Sequence, residues 1–173
     1  MAGANMIYII DGYNVLHTRE PDGITRDELE DKRQALVEEV ISYIASAGDE
    51  AIIVFDSTVA ESPECHPVPN TAVTVCYSSK SMIADILIGK LVQQKLAATK
   101  DGIKVVSADW EVQKGALMKR VERVTPRHFL AEIKKFAKKL AFSPEKDKMR
   151  WKLEHKVDVE TLRKLEEMRR GRG

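Results

Sequence analysis

Ile7-Tyr8-Ile9-Ile10-Asp11-Gly12-Tyr13-Asn14-Val15 is a β-branched and aromatic run that passes abruptly into an acid, a glycine and an amide. The apolar part predicts a buried strand, because a continuous apolar run bounded by turn residues is typical of a strand covered on both faces. In an open parallel sheet, the carboxyl ends of such strands face the ligand crevice. We therefore expect Asp11 to be delivered to a turn beside a functional site. An aspartate that only hydrogen-bonds its own turn is the alternative interpretation.

Length and charge indicate one domain with an appendage. The chain has 173 residues and a net charge of +1, and a length near the usual domain size favours a single core. Residues 1–142 hold 18 Lys and Arg against 20 Asp and Glu, whereas residues 143–173 hold 10 against 7. We predict a folded domain over residues 1–142 and a basic extension over residues 143–173.

The cysteines and the absence of long apolar segments are the sequence features that bear on cellular location. Cys65 and Cys76 have no metal-binding spacing, and two cysteines without a secretory leader predict free thiols in a reducing cytosol. No apolar run approaches the roughly 20 residues that a membrane span requires, and the first residues do not form a charged-then-apolar leader. We expect a cytoplasmic protein with no membrane partner.

Apolar segments alternate with helical patterns along the chain. Thr25-Arg26-Asp27-Glu28 has the form of a capping box and opens a long amphipathic helix that runs to Gly48. Further helices are expected over residues 81–96 and from Pro126 to Leu140, and residues 57–72 are expected to form a loop. The predicted strands cover about residues 7–11, 51–56, 71–77, 103–109 and 121–124. This order predicts an α/β fold with a doubly wound, mostly parallel five-stranded sheet and a helical C-terminal extension.

Four aspartates stand out against this framework. Three strands end in an acid, at Asp11, Asp56 and Asp109, and Asp85 interrupts a largely apolar helix, where a buried charge is costly without a partner. As structural residues, these acids could finish turns or cap helices. Together they favour a metal site, because clustered carboxylates repel one another unless a cation neutralises them. Mg²⁺ or Mn²⁺ prefers oxygen ligands, can clamp a phosphate, and can activate a water.

The same residues carry a resemblance to a known family. In chain order, the segments similar to motifs of the YacP-like NYN domain family are Ile9-Ile10-Asp11-Gly12-Tyr13-Asn14-Val15-Leu16, Val54-Phe55-Asp56, Ala84-Asp85 and Val105-Val106-Ser107-Ala108-Asp109-Trp110-Glu111-Val112. The match runs over about residues 6–140. The resemblance implies a PIN-like fold with a five-stranded parallel sheet and metal-dependent endonuclease activity on RNA. It also implies Mg²⁺ held at the four aspartates and a role for Asn14 in orienting a ligand or water.

The chain departs from the family pattern after Asp85. Family members typically carry further acids there, where this chain has Ile86 and Gly89, which predicts weaker metal binding. Glu111 could supply a replacement oxygen ligand, although the helix dipole explains a first-turn glutamate equally well.

Residues other than the four aspartates are the candidates for contact with the substrate. Tyr13 could stack on a base or be a partly buried turn tyrosine. The basic C-terminal region could contact phosphates or be a solvated face, and its candidates are Lys134, Lys138 and Arg150. The histidines lack neighbours at metal or triad spacing, so the prediction leaves out His17, His66, His128 and His155.

The acid cluster and the family resemblance together imply a Mg²⁺- or Mn²⁺-dependent endoribonuclease that hydrolyses RNA phosphodiester bonds. The alternative is a PIN-like RNA-binding or ribosome-associated module whose depleted acids no longer support chemistry. A receiver-type signalling domain fits less well, because it has paired acids after its first strand, where this chain has Asp11-Gly12. A haloacid-type phosphatase would place a second acid at the position of Tyr13.

Overall fold

The fold is a three-layer α/β sandwich around one twisted sheet. The computed structural model describes residues 5–109 and 117–141. Within those ranges there are six strands, four α-helices and a short 3-10 helix, Leu117–Arg120. In chain order, the strands and α-helices are β1 (Met6–Asp11), α1 (Gly12–Arg19), α2 (Arg26–Ala47), β2 (Glu50–Phe55), β3 (Glu64–Pro67), β4 (Val73–Tyr77), α3 (Ala84–Ala98), β5 (Gly102–Val106), β6 (Val121–Val124) and α4 (Pro126–Ala141).

The sheet has the order β3-β4-β2-β1-β5-β6. All pairings among β1, β2, β4, β5 and β6 are parallel. The chain builds outward from β1 through β2 to β4 and then returns to the other side of β1 for β5 and β6. This confirms the predicted doubly wound, mostly parallel sheet. It also places a topological switch point between β1 and β5, where α/β folds bind ligands.

The sheet has one strand more than predicted. The segment at residues 57–72, expected to be a loop, contains β3, which pairs antiparallel with β4 at the edge of the sheet. All four residues of β3 are exposed. An exposed strand has no buried face, so it lacks the apolar alternation by which strands are recognised in a sequence.

Side chains alternate between two hydrophobic cores, one on each face of the sheet. Tyr8 and Ile10 belong to the core shared with α1, α2 and α4. Ile7 and Ile9 belong to the opposite core, which includes Leu87, Ile88, Val92 and Leu96 of α3. Burial on both faces explains why the central strands are continuously apolar.

Helix termini follow the predicted signals at α2 and α4. The capping box at Thr25 is present, and the Glu28 carboxylate accepts a hydrogen bond from the Thr25 backbone N–H at 3.3 Å. The helix ends at Gly48, whose φ of 73° is a left-handed conformation that glycine adopts without steric cost. At α4, the Thr125 hydroxyl accepts from the His128 N–H at 3.2 Å, as expected for an N-cap.

The turn expected after Asp11 is instead the start of a helix. Asp11 is the N-cap of α1, and Val15 and Leu16 of this helix are buried. The chain therefore passes from β1 into α1 without a connecting loop. An eight-residue helix presents too few turns for its periodicity to be evident in the sequence.

The expectation of free thiols is wrong for both cysteines. Cys65 on β3 and Cys76 on β4 form a disulfide, with their Cα atoms 4.0 Å apart. They are directly opposed in the antiparallel ladder, which brings their side chains together on one face. Because residues 57–72 were expected to form a loop, this juxtaposition could not be anticipated.

The chain divides into two compact units, Met1–Lys134 and Lys135–Gly173, and the second is described only where α4 continues into it. The predicted helical extension over residues 143–173 lies outside the described residues. Within the described part of the chain, no helix combines the length and the apolar character needed to cross a bilayer. The cytoplasmic location stays a prediction.

Candidate active site at the carboxyl edge of the sheet

A cavity of about 660 Å³ opens at the carboxyl ends of the central strands. It brings together the four aspartates predicted from the sequence, although they are spread over almost 100 positions of the chain. Residues from the end of β1, from α1, from the segments that follow β2 and β5 and from the start of α3 contribute to it. The lining residues are Asp11, Tyr13, Asn14, His17, Thr18, Asp56, Ile83, Ala84, Asp85 and Asp109.

Asp11 and Asn14 form the centre of the site at the topological switch point. The Asn14 backbone N–H donates to one Asp11 carboxylate oxygen at 3.0 Å, and its side-chain amide donates to the other at 2.7 Å. The Asn14 amide oxygen accepts from the Ala108 N–H at 3.3 Å. Asn14 therefore ties the end of β1 to the segment that carries Asp109, and acts as a positioning residue. Its predicted role in orienting a ligand or water stays a prediction.

Asp56 lies just beyond β2 and caps a helix that is distant in sequence. Its Oδ1 atom accepts from the Ala84 N–H at 3.2 Å, in the first turn of α3. The Ser78 hydroxyl donates to the same oxygen and accepts from the Ser57 N–H at 2.9 Å. The N-terminus of a helix favours negative charge, so this arrangement fixes the Asp56 carboxylate in the lining of the cavity.

Asp85 and Asp109 complete the acid cluster from two other segments. Asp85 was expected to lie within a largely buried helix, but it is exposed. It occupies the first turn of α3 at the cavity, and burial of that helix begins at Leu87. Asp109 is also exposed, and its N–H donates to the Ser107 hydroxyl at 3.3 Å. The Arg123 guanidinium donates to the Ala108 carbonyl at 2.7 Å, which further fixes this segment.

The cavity has strongly negative electrostatics. Asp11 is 6% exposed, and this burial raises the pKa of its carboxyl above the ordinary value. The two hydrogen bonds from Asn14 lower that pKa, and the charges of Asp85 and Asp56 raise it. Among the described residues that line the cavity, none is a lysine or an arginine. The charges of Asp56 and Asp85 therefore act on Asp11 with no lysine or arginine in the described lining to offset them.

The donor set suits a hard divalent cation that keeps much of its hydration. No three His, Cys, Asp or Glu side chains in residues 5–109 and 117–141 are arranged to hold one ion together. Mg²⁺, however, is usually bound by one or two carboxylates and several waters. Asp56 and Asp85 are the acids whose charges act on Asp11, so Asp11 with one of them is the candidate for such a pair.

The remaining predicted residues have mixed positions. Tyr13 lines the cavity and is half-buried. Lys134 is exposed on α4 and does not line the cavity. Lys138 is exposed in the last turn of α4, within the second unit. Arg150 and Glu111 lie outside the described residues.

Four lining or supporting residues were not predicted from the sequence. His17 and Thr18 reach the cavity because α1 is helical, which places them one turn after Tyr13 and Asn14. Ser78 is fully buried and holds Asp56; its position directly after β4 was the available signal. Ile83 lines the cavity although it precedes the first turn of α3.

Comparisons with known proteins identify the family. Bacillus subtilis Rae1 (YacP) superposes with a TM-score of 0.65 over 95% of each chain at 22% sequence identity. A tryptophan-to-leucine mutant of Rae1 superposes with a TM-score of 0.61 over 78% of each chain at 23% identity. No curated protein sequence matches the chain. The model of the YacP-like NYN domain matches residues 8–170. The chain therefore belongs to the YacP-like NYN domain family, whose domains are nuclease-like and process RNA.

Proposed function

We propose that this protein is a Mg²⁺- or Mn²⁺-dependent endoribonuclease that hydrolyses phosphodiester bonds of RNA. The observation that supports it best is the convergence of Asp11, Asp56, Asp85 and Asp109 on one cavity at the topological switch point. Within a family of nuclease-like domains, such a cluster of oxygen ligands is suited to divalent-ion chemistry.

Asp11, Asp56 and Asp85 are the candidates to hold the ion, and Asp109 is considered separately from them. The charges of Asp56 and Asp85 both act on Asp11, so Asp11 and one of these two are the best candidates to hold the ion, with Asp109 lining the same cavity. When bound, Mg²⁺ or Mn²⁺ would neutralise these charges, orient a phosphate and activate a water. In the hydrolysis, a water oxygen bonds to phosphorus while the bond from phosphorus to the leaving ribose oxygen breaks, and in net terms one water proton passes to the departing ribose oxygen.

The protein's own contribution is preorganisation. Asn14 holds both oxygens of Asp11 and the segment before Asp109, and Ser78 with the Ala84 N–H holds Asp56. Fixed carboxylates require little rearrangement during the reaction, which is how a preorganised polar site lowers a barrier.

A second candidate function is RNA binding without cleavage, including a ribosome-associated role. It is favoured by the helix face beside Asp85, where Ile86 is 50% exposed and a Cβ atom added at Gly89 would meet nothing within 4 Å. This face has room for the acids implied by the family resemblance and lacks them. Ribosome association stays a prediction.

A cleavage assay separates the two candidates. The full chain is incubated with mixed structured and single-stranded RNA in Mg²⁺, in Mn²⁺ and in excess chelator. We expect cleavage only with the ion present, and loss of cleavage to background in Asp11→Asn and in Asp109→Asn. Asp22→Asn, which alters an exposed acid outside the cavity, should cleave like the parent. RNA binding with no metal-dependent cleavage would establish the second candidate instead.

A further inference from the structure

One rim of the acid cavity is aromatic. Tyr13 and His17 lie one helical turn apart on α1 and both line the cavity. Their ring centroids are 6.2 Å apart and their planes are inclined at 33°. The two rings are therefore neighbours in the lining of the cavity that holds the acids, and we call this pair of rings the α1 shelf.

The tyrosine of the shelf is fixed by contacts on the side of the protein interior. Its ring meets the buried Phe55 ring edge-on, with centroids 5.4 Å apart and planes at 67°. The Arg33 guanidinium donates to the Tyr13 hydroxyl at 3.5 Å and lies 6.0 Å from the Phe55 ring centroid. His17 is exposed. The shelf thus consists of one anchored ring and one ring that is open to a ligand.

The start of α3 adds an apolar side chain to the same cavity. Ile83 lines the cavity and is 53% exposed, so packing in the core does not account for it. Aromatic and aliphatic surfaces beside four carboxylates give the cavity two kinds of binding surface. The acids can hold a phosphate only through a cation, whereas the rings and Ile83 can contact an uncharged planar group directly.

We propose that the α1 shelf and Ile83 form a subsite for an unpaired nucleobase next to the phosphodiester that is cleaved. Bases of single-stranded RNA stack on tyrosine and histidine rings, and such stacking tolerates any base. A base within a duplex would not expose its face to the shelf, so the subsite selects unpaired RNA. This inference rests on the proposed function, because it assigns the nucleotide beside that function's reaction centre.

The first test compares ring-retaining and ring-removing variants of the full chain on short single-stranded oligoadenylate in Mg²⁺. His17→Ala should raise KM about tenfold, the effect expected for one stacked base, and change kcat much less. His17→Phe keeps a ring without ring nitrogens and should restore the parent KM. Tyr13→Phe should have the KM of the parent, whereas Tyr13→Leu should have a raised KM like that of His17→Ala.

The second test removes the base instead of the ring. A single abasic nucleotide is placed on either side of the bond that the parent cleaves. For the parent, one of the two abasic substrates should have a KM raised by about the same factor as the substitution His17→Ala raises the KM of intact RNA. For His17→Ala, the KM of that abasic substrate should equal the KM of intact RNA, because the ring and the base form one interaction.

Three results would overturn the subsite. The first is a KM of His17→Ala on intact RNA equal to that of the parent, and the second is an equal rise in KM for the parent and for His17→Ala when the base is removed. The third is a KM of His17→Phe as high as that of His17→Ala, which would assign His17 to proton chemistry. If the parent cleaves no RNA, the proposed function fails separately. The subsite is then decided by fluorescence anisotropy of labelled oligoadenylate on the parent protein and on its His17→Ala and His17→Phe variants in Mg²⁺, where equal affinities of the parent and His17→Ala would overturn it.

Discussion

At the residue scale, Asp11 combines two roles, because one carboxylate both caps α1 and lines the acid cavity. Its pKa is raised mainly by burial and further by the charges of Asp85 and Asp56. The native state therefore prefers the protonated form more than the unfolded chain does. The stability contributed by protonated Asp11 is fully present below its ordinary pKa of 3.8 and is lost as pH rises through the raised native value.

Asp11→Asn removes this pH dependence. Measured in chelator between pH 4 and pH 7, the free energy of unfolding of the parent should fall relative to that of the variant as pH rises. Each unit of raised pKa corresponds to about 1.4 kcal/mol. Urea titrations at several pH values check this, and a difference that is constant over the range would show that the Asp11 pKa is not raised. Saturating Mg²⁺ at pH 7 should stabilise the parent more than the variant.

Gly12 is required by the packing of α1 against β2. A Cβ atom at this position would lie 2.3 Å from Cε1 of Phe55, whose ring is fully buried. Gly12→Ala should therefore destabilise the protein by about 1–3 kcal/mol, the usual cost of overpacking. Gly89→Ala is the matched control, because nothing lies within 4 Å of its added Cβ, and it should stabilise α3 by up to about 1 kcal/mol. Equal thermal shifts for the two variants would contradict the packing argument.

Asp11, Asp56 and Asp109 could be predicted from the sequence because each lies at the end of a recognisable strand, and Asp85 because it is the one acid in a largely apolar predicted helix. Their individual environments could not. Asp85 interrupts an apolar sequence, yet it is exposed because it lies in the first turn of α3. His17 has no metal or triad spacing, and it enters the cavity only because residues 12–19 are helical.

At the element scale, α3 presents a face with room for one more ligand. Gly89 lies one turn after Asp85, on the same side of the helix. Gly89→Glu should tighten Mg²⁺ or Mn²⁺ binding, because a carboxylate at this position can reach an ion held at Asp85. Gly89→Gln is the control for helix propensity, since it adds a side chain of similar size without the charge. In calorimetric titrations, equal affinities for the two variants would count against this geometry.

Most strands and helices could be predicted where the apolar pattern of the sequence and the signals at the ends of the element indicate the same structure. The five parallel strands and the starts of α2 and α4 carry both an apolar pattern and a terminal signal, and all of them are present. Helix α1 and strand β3 were missed for opposite reasons. The first is short and follows β1 without a loop, and the second is wholly exposed. Neither produces the periodicity on which a sequence-based prediction depends.

At the scale of the whole molecule, charge is distributed unevenly along the chain. Residues 1–142 carry 18 basic and 20 acidic side chains, and residues 143–173 carry 10 and 7. A polyanion that must approach an acidic cavity needs compensating positive charge elsewhere. We expect the C-terminal residues to place RNA and the acid cavity to cleave it.

Deleting residues 143–173 tests this division. RNA binding should weaken, and the slope of its logarithmic dependence on salt should flatten by about 0.7 for each phosphate of single-stranded RNA that the deleted residues neutralise. Hydrolysis of a short substrate at saturating concentration should survive, because every described lining residue of the cavity is retained. An unchanged salt slope would make this region a solvated appendage, and loss of the folded state by circular dichroism would make it part of the core.

The antiparallel strand β3 also affects how the molecule meets copies of itself. Without it, β4 would present unpaired backbone groups at the sheet edge, which is the usual template for aggregation. β3 is four residues long, begins with a charged glutamate and ends with a proline that has no N–H to donate. The bond between Cys65 and Cys76 secures this cover to β4. Reduction should therefore release a protective edge, and the reduced protein should form intermolecular β-sheet sooner on mild heating than the oxidised protein.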